Sequence, residues 1–280
     1  MPMKKDVLPA SSSSFWTLSK PQQACMKMTL FVVSAPLLLI ISVASVSAQN
    51  YPLGMAENSV DDDFVGCEKN MENTVVSKYI KLEKMNTPGF AAAWEKALNL
   101  CPKDVPNRNQ CAAMYLYTGE KKGNSSFKQF NAATHNGKEA YKSDKFQFYT
   151  LFFYLTDAVK QLKLKECLTV YRRTNYTYPT DVLNKEIRFG SFASTSLVEP
   201  PLHFGNKSCF EVETCFGANV TNNSRFSHER EVLIPPYEVF RVTKITKKDK
   251  QNKDLWCDVV YELKSTNYTK SDLNCAKVPS

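Results

Sequence analysis

The hydrophobic positions of this chain change their period part-way along. In the first half, apolar residues recur at helical spacing. Val75, Tyr79, Ile80 and Leu82 form a stripe that predicts a helix over 71–85. Pro88 opens a second helix that runs to Leu100, since proline is favoured in a first helical turn. Residues 109–117 and 127–134 read as two shorter helices, and 146–164 as a long one. In that long helix Phe148, Leu151, Phe152, Leu155, Ala158, Val159 and Leu162 stay in register. Its aromatic residues, Phe146, Phe148, Phe152, Phe153 and Tyr154, are expected to pack the core. From Cys167 onward the apolar residues are β-branched and aromatic, in runs broken by Pro, Gly and Asn. Strands are predicted over 167–172, 187–197, 208–215, 231–246 and 255–263. Helices followed by strands predict an α+β fold rather than an alternating α/β one.

Composition narrows the class. The 280 residues are 43% hydrophobic and 12% aromatic, ample for a packed core, and carry a formal charge of +8. Of that charge, +3 lies in the first 48 residues, from Lys4, Lys5, Lys20 and Lys27 against Asp6. No compact basic block with interleaved aromatics appears, so no nucleic-acid partner is expected. An uncharged apolar run follows Lys27, and Val46-Ser47-Ala48 offers a small-residue cleavage site. Residues 1–48 are therefore expected to be a signal peptide, and 49–280 the working domain. The alternative is a membrane anchor through 28–48. No hydrophobic tail precedes Ser280, so no glycosylphosphatidylinositol signal is expected.

Cysteine use fits export. Beyond Cys25 there are eight, Cys67, Cys101, Cys111, Cys167, Cys209, Cys215, Cys257 and Cys275, which imply four disulfides with connectivity left open. There is no Cys-x-x-Cys and there are only three histidines, so no metal site is expected. Asn124, Asn175, Asn206, Asn219, Asn222 and Asn267 head glycosylation sequons. A Gly-x-Gly-x-x-Gly fingerprint is absent, which leaves a Rossmann nucleotide site unsupported.

The candidate chemistry centres on Glu229-Arg230-Glu231, at the mouth of the apolar run Val232-Leu-Ile-Pro-Pro-Tyr-Glu-Val-Phe240. In an extended segment, residues i and i+2 share a face, so both acids would look into one site. Two like charges held together call for a cationic centre between them. Arg172 ends one predicted strand, and Ser194-Thr195-Ser196 lies on another. Each of these features is ordinary alone.

Together they resemble the vertebrate-type, arginine-specific mono-ADP-ribosyltransferases, whose Arg–Ser–Glu triad matches in order and approximate spacing. Leu116-Tyr117-Thr118, Phe130-Asn131, Arg188-Phe189-Gly190, His203-Phe204-Gly205 and Thr214-Cys215-Phe216-Gly217-Ala218 also match. The resemblance runs from about Asp61 to Cys275. It implies a helical half followed by a two-sheet β core, with NAD (or NADP) as co-substrate in a cleft. Arg172 would hold phosphates, and Ser194 the nicotinamide ribose, supported by Ser196. Ser224 and Tyr117 would be further nucleotide contacts. Glu231 would stabilise the ribosyl cation and Glu229 would orient the acceptor arginine. The acceptors would be extracellular or cell-surface proteins with accessible arginines. The resemblance also implies Cys67–Cys275 and Cys167–Cys215 bonds; Cys209–Cys257 and Cys101–Cys111 are guesses for the remainder. The alternatives are an NAD glycohydrolase on the same fold and a catalytically silent binding module. Arg173, where the family commonly has glycine, could crowd the phosphate site, and Arg230 could pair with either glutamate.

Overall fold

The computed structural model describes residues 51–119, 126–222, 224 and 226–278. The expected leader, residues 1–48, and the Asn124 sequon lie outside the described residues. The first helical run comprises α1 (Glu68–Thr74), a π-helical stretch (Val75–Tyr79) and α2 (Ile80–Asn86), joined without leaving right-handed helical backbone. Then come α3 (Phe90–Leu100), α4 (Arg108–Thr118), α5 (Ser126–Asn136), α6 (Lys138–Lys142) and α7 (Tyr149–Gln161). Asn107 caps α4 by accepting from the Asn109 and Gln110 amides. Helix α7 is buried along most of its length, and the aromatic residues at 146, 148 and 152–154 are core residues, as expected. Its N-terminal amide at Thr150 donates to both oxygens of the buried Glu83 carboxyl, at 3.2 Å each. Burial nevertheless pushes that carboxyl up to about 7.

The strands are β1 (Leu168–Thr174), β2 (Glu186–Ile187), β3 (Ala193–Ser196), β4 (Ser208–Thr214), β5 (Ala218–Asn219), β6 (Glu231–Ile234), β7 (Glu238–Lys247) and β8 (Val259–Thr269). They form an eight-stranded mixed sheet in the order β2-β7-β8-β4-β1-β3-β6-β5, in which β4 and β8 are parallel. The α+β class stands. The expected two β layers are hydrogen-bonded into one sequence of strands, joined between β1 and β3 at a single register pair, Tyr171 with Ser196.

Two predicted strands divide. Residues 187–197 split into β2 and β3, which lie far apart in the sheet order. Gly190 sits between them at φ +66°, where a Cβ would strike Ala56 and the His135 ring. Residues 231–246 split at Pro235-Pro236-Tyr237, since prolines donate nothing to a ladder. Strand β6 is buried throughout because it lies between two cores. Leu233 packs with the helices, while Val232 and Ile234 pack with Val170, Phe210 and Phe240.

All four disulfides pair as anticipated: Cys67–Cys275, Cys101–Cys111, Cys167–Cys215 and Cys209–Cys257. Beside the first, a fully buried ion pair joins Asp61 to Arg188 at 2.7 Å. Arg188 also donates to the Met55, Ala56 and Lys270 carbonyls, and Asp61 accepts the Leu273 amide. Both ends of the domain are thus stitched to the start of the β2–β3 connection.

Candidate active site

Three adjacent strands bring the site together. In the register, Ser196 of β3 stands opposite Tyr171 of β1 on one side and Glu231 of β6 on the other. Ser194 stands opposite Leu233. Arg172, next to Tyr171, reaches across the joint and donates from Nη1 to the Ser194 carbonyl at 2.6 Å. The narrow seam between the two parts of the sheet is therefore where arginine, serine and glutamate meet.

Glu231 is buried, and burial is the main cause of a carboxyl held above its ordinary range. Hydrogen bonds from the Ser194 and Ser224 hydroxyls oppose the shift, the latter at 3.2 Å from Oε2. The charge on Glu229 raises it further and that on Arg172 lowers it. Glu231 and Glu229 are thus close enough to repel.

Their proximity does not come from a β pleat, and this corrects the reading of the Glu229–Glu231 stretch as extended. Ser227–Glu229 is a 3-10 turn, and Arg230 follows in the left-handed region at φ +49°. Only then does β6 begin. Contacts with β3 hold the turn. The Ser196 hydroxyl donates to the Glu229 carbonyl at 2.8 Å, and the Leu197 amide donates to the Arg230 carbonyl at 3.1 Å. The Arg230 side chain is exposed and, among the described residues, makes no ion pair with Glu231.

Arg173 does not crowd the site either. Strand alternation turns it to the opposite face of β1 from Arg172. There its guanidinium lies 4.6 Å from the Trp256 ring centroid. Tyr117 sits behind β3, buried, with its hydroxyl donating to the Phe192 carbonyl at 3.0 Å. Burial pushes that hydroxyl up to about 12, so it stays protonated. Asn131 belongs to the matching segment Phe130-Asn131. Its amide holds both the Tyr117 hydroxyl and the Phe192 carbonyl, at 3.2 Å each, so it braces the strand that carries Ser194. Two concavities of about 160 and 190 Å³ lie elsewhere, between α3 and α4 and beside Tyr79 and Tyr149. Neither is lined by Arg172, Ser194, Ser196, Ser224, Glu229 or Glu231.

The profile of the NAD:arginine ADP-ribosyltransferase family matches residues 53–257. This chain belongs to that family. Among curated relatives it is 34% identical over 239 residues to NAD(P)(+)--arginine ADP-ribosyltransferase 2 of Gallus gallus, covering 76% of this chain and 73% of that one. It is 33% identical over 245 residues to ecto-ADP-ribosyltransferase 5 of Homo sapiens, with 80% of each covered. Among solved structures, a variant of the eucaryotic mono-ADP-ribosyltransferase ART2.2 in complex with NADH superposes with a TM-score of 0.64 at 26% identity. That match covers 80% of this chain and 98% of the other. The fold of this family member is therefore the ADP-ribosyltransferase fold.

Proposed function

We propose that the chain is an arginine mono-ADP-ribosyltransferase, moving ADP-ribose from NAD to arginine side chains of proteins with release of nicotinamide. The observation that carries this reading is the meeting of Arg172, Ser194 and Glu231 at the β1–β3–β6 seam. The names of the relatives support it, as does the NADH complex of the structural neighbour. The residues fit a dinucleotide: a guanidinium fork, a row of hydroxyls and a buried carboxylate, with no metal-ligand cluster among the described residues.

In this reading Arg172 holds the phosphates through the N–H groups not engaged by the Ser194 carbonyl. Ser194 orients the nicotinamide ribose, with Ser224 as a further contact; Tyr117, expected as another, is buried with its hydroxyl held by Phe192 and Asn131 and instead backs the strand. Ser196 acts in support, since its hydroxyl is engaged by the Glu229 turn. The bond between ribose C1′ and the pyridinium nitrogen breaks, and nicotinamide leaves neutral with the electron pair. Positive charge develops on the ribose, and the Glu231 carboxylate stabilises it, as carboxylates do in glycoside cleavage. An arginine nitrogen then bonds to C1′. Guanidinium is a poor nucleophile while protonated, so Glu229 aligns it and accepts its proton as the bond forms.

Residues 49–280 form the transferase domain behind a cleaved leader, and the enzyme works outside the cell on extracellular or cell-surface proteins. The four disulfides support an oxidising compartment. Asn175, Asn206, Asn219, Asn222 and Asn267 are exposed, as acceptors of glycans must be. Secreted material should begin at Gln49. The activity is tested by incubating the protein with NAD and an arginine-rich acceptor, then measuring acceptor mass and free nicotinamide. Modified acceptor is expected. Nicotinamide without modification would indicate a glycohydrolase, and neither signal from folded protein would overturn the proposal.

A further inference from the structure

The back of the seam holds a second arginine that the chemistry above does not use. The Arg173 side chain is only 9% exposed, yet among the described residues its ion-pair partner is Glu199, 3.8 Å away and largely solvated. Instead it is spent on main-chain oxygens. Nε donates to the Pro200 carbonyl at 2.6 Å, and Nη1 to the Trp256 carbonyl at 2.8 Å and the Gly205 carbonyl at 3.3 Å. Trp256 covers its face and is itself fixed by an indole hydrogen bond to Glu211 at 3.2 Å. Gly205, at φ +133°, packs so tightly on β1 that a Cβ would fall on the Thr174 carbonyl. Arg173 therefore ties both ends of the 200–205 stretch, which leads out of β3, to the rear of β1.

The same connection begins at the turn that carries Glu229. The Leu197 amide binds the Arg230 carbonyl. The Val198 amide donates to the Ser196 hydroxyl at 3.2 Å, and that hydroxyl donates to the Glu229 carbonyl. Two sets of hydrogen bonds, one from Arg173 to 200–205 and one from 196–198 to the Glu229 turn, are thus joined by the short chain segment through Glu199. Glu231, by contrast, has a second hold apart from Ser196: it is fixed within β6, where its carbonyl accepts the Val220 amide at 3.0 Å.

We propose that Arg173 is a positioning residue for acceptor use: it braces the β3–β4 connection and so fixes the Glu229 turn, setting the share of turnovers that end on arginine rather than on water. This rests on the transferase reading above and deepens it. Removing the brace should loosen Glu229 while leaving nicotinamide cleavage at Glu231 intact.

The test compares wild type with Arg173→Met in two measurements. The first is the ratio of arginine transfer to nicotinamide release. It should fall about tenfold, the scale of a modest misplacement of a reacting partner, with the acceptor KM raised and the NAD KM unchanged. Arg173→Lys, which can reach a single carbonyl, should recover part of the ratio. The second needs no activity: hydrogen exchange at the Leu197 and Val198 amides should quicken in Arg173→Met relative to β4 amides in the same molecule. An unchanged ratio, a parallel fall of transfer and release, or unchanged exchange at 197–198 would overturn the proposal. If Arg173→Met fails to fold, Arg173→Lys carries both readings at smaller size. A wild type that releases no nicotinamide would sink the transferase reading, while the exchange measurement would still decide the brace.

Discussion

Glu231 and Glu238 stand at the two ends of one short stretch, where β6 turns into β7, and the chain treats them differently. Both are buried, and in both burial holds the carboxyl above its ordinary range. Glu238 is filled by protein. It accepts from the Thr214 and Ser265 hydroxyls at 2.6 and 2.8 Å and from the Cys215 and Phe216 amides at 2.8 and 3.3 Å. A carboxylate offers about four lone-pair sites, so little is left for anything else. The donors at Cys215 and Phe216 are themselves pinned by the Cys167–Cys215 bond. Among the described residues, Glu231 is met by the Ser194 and Ser224 hydroxyls, beside Arg172 and a like-charged neighbour. One acid closes a structural joint, and the other keeps acceptor capacity in reserve. Burial alone does not separate them; the count of fixed donors does.

The contrast can be broken or sharpened by substitution. Glu231→Gln should show the largest effect, with nicotinamide release reduced about a thousandfold because the developing cation loses its counter-charge. Stability should not suffer. A carboxyl with a raised folded pKa binds its proton more tightly when folded, so its contribution is most favourable at low pH and declines as pH rises through that pKa. At neutral pH the amide removes this cost, and urea unfolding should show Glu231→Gln at least as stable as wild type.

Glu238→Gln should do the reverse. It puts an amide N–H against donors, leaves buried groups unpaired and should cost about 3 kcal/mol in urea unfolding. Nicotinamide release per folded molecule should stay near the wild-type rate. Glu229→Gln comes next: arginine transfer should fall about a hundredfold, the scale of a lost general base, with hydrolysis retained. Acceptor mass and free nicotinamide, taken together, read that split.

The smallest effect is a shift in pH dependence. Glu231 must be ionised to act, so release should fall as pH drops through its raised pKa, and this acid limb should lie above the ordinary carboxylate range. Ser224→Ala removes a hydrogen bond that favours the ionised form. The limb should then move upward, which a rate–pH profile would resolve.

Helical periodicity was the most readable part of the sequence. Val75 and Tyr79 are buried as the stripe requires, but Leu82 of the same stripe is exposed, because the π-helical Val75–Tyr79 stretch shifts the phase; the aromatics of α7 are core residues in a helix buried on nearly every side. Very short elements such as α6 and the two-residue β5 carry too little pattern to be seen. The break at Gly190 was visible as a glycine, but its meaning depends on Ala56 and His135, which sit far away in sequence. The residues of the seam could be named because their order and surrounding motifs resemble a family. Their geometry could not, since the left-handed Arg230 and its hold on Leu197 arise from contacts between β3 and the turn before β6. Glu238 passed unnoticed within an apolar run because its four partners come from β4, the turn after it and β8. For Arg173 the signal was present: alternation along β1 places it on the opposite face from Arg172.

The central claim is that the β1–β3–β6 seam grips NAD and leaves Glu231 facing the bond that breaks. A crystal structure of Glu231→Gln with NAD tests it most directly. Phosphate oxygens are expected on the Arg172 guanidinium, with the nicotinamide ribose within hydrogen-bond distance of Ser194 and residue 231. NAD bound away from Arg172, or with its ribose out of reach of residue 231, would contradict it.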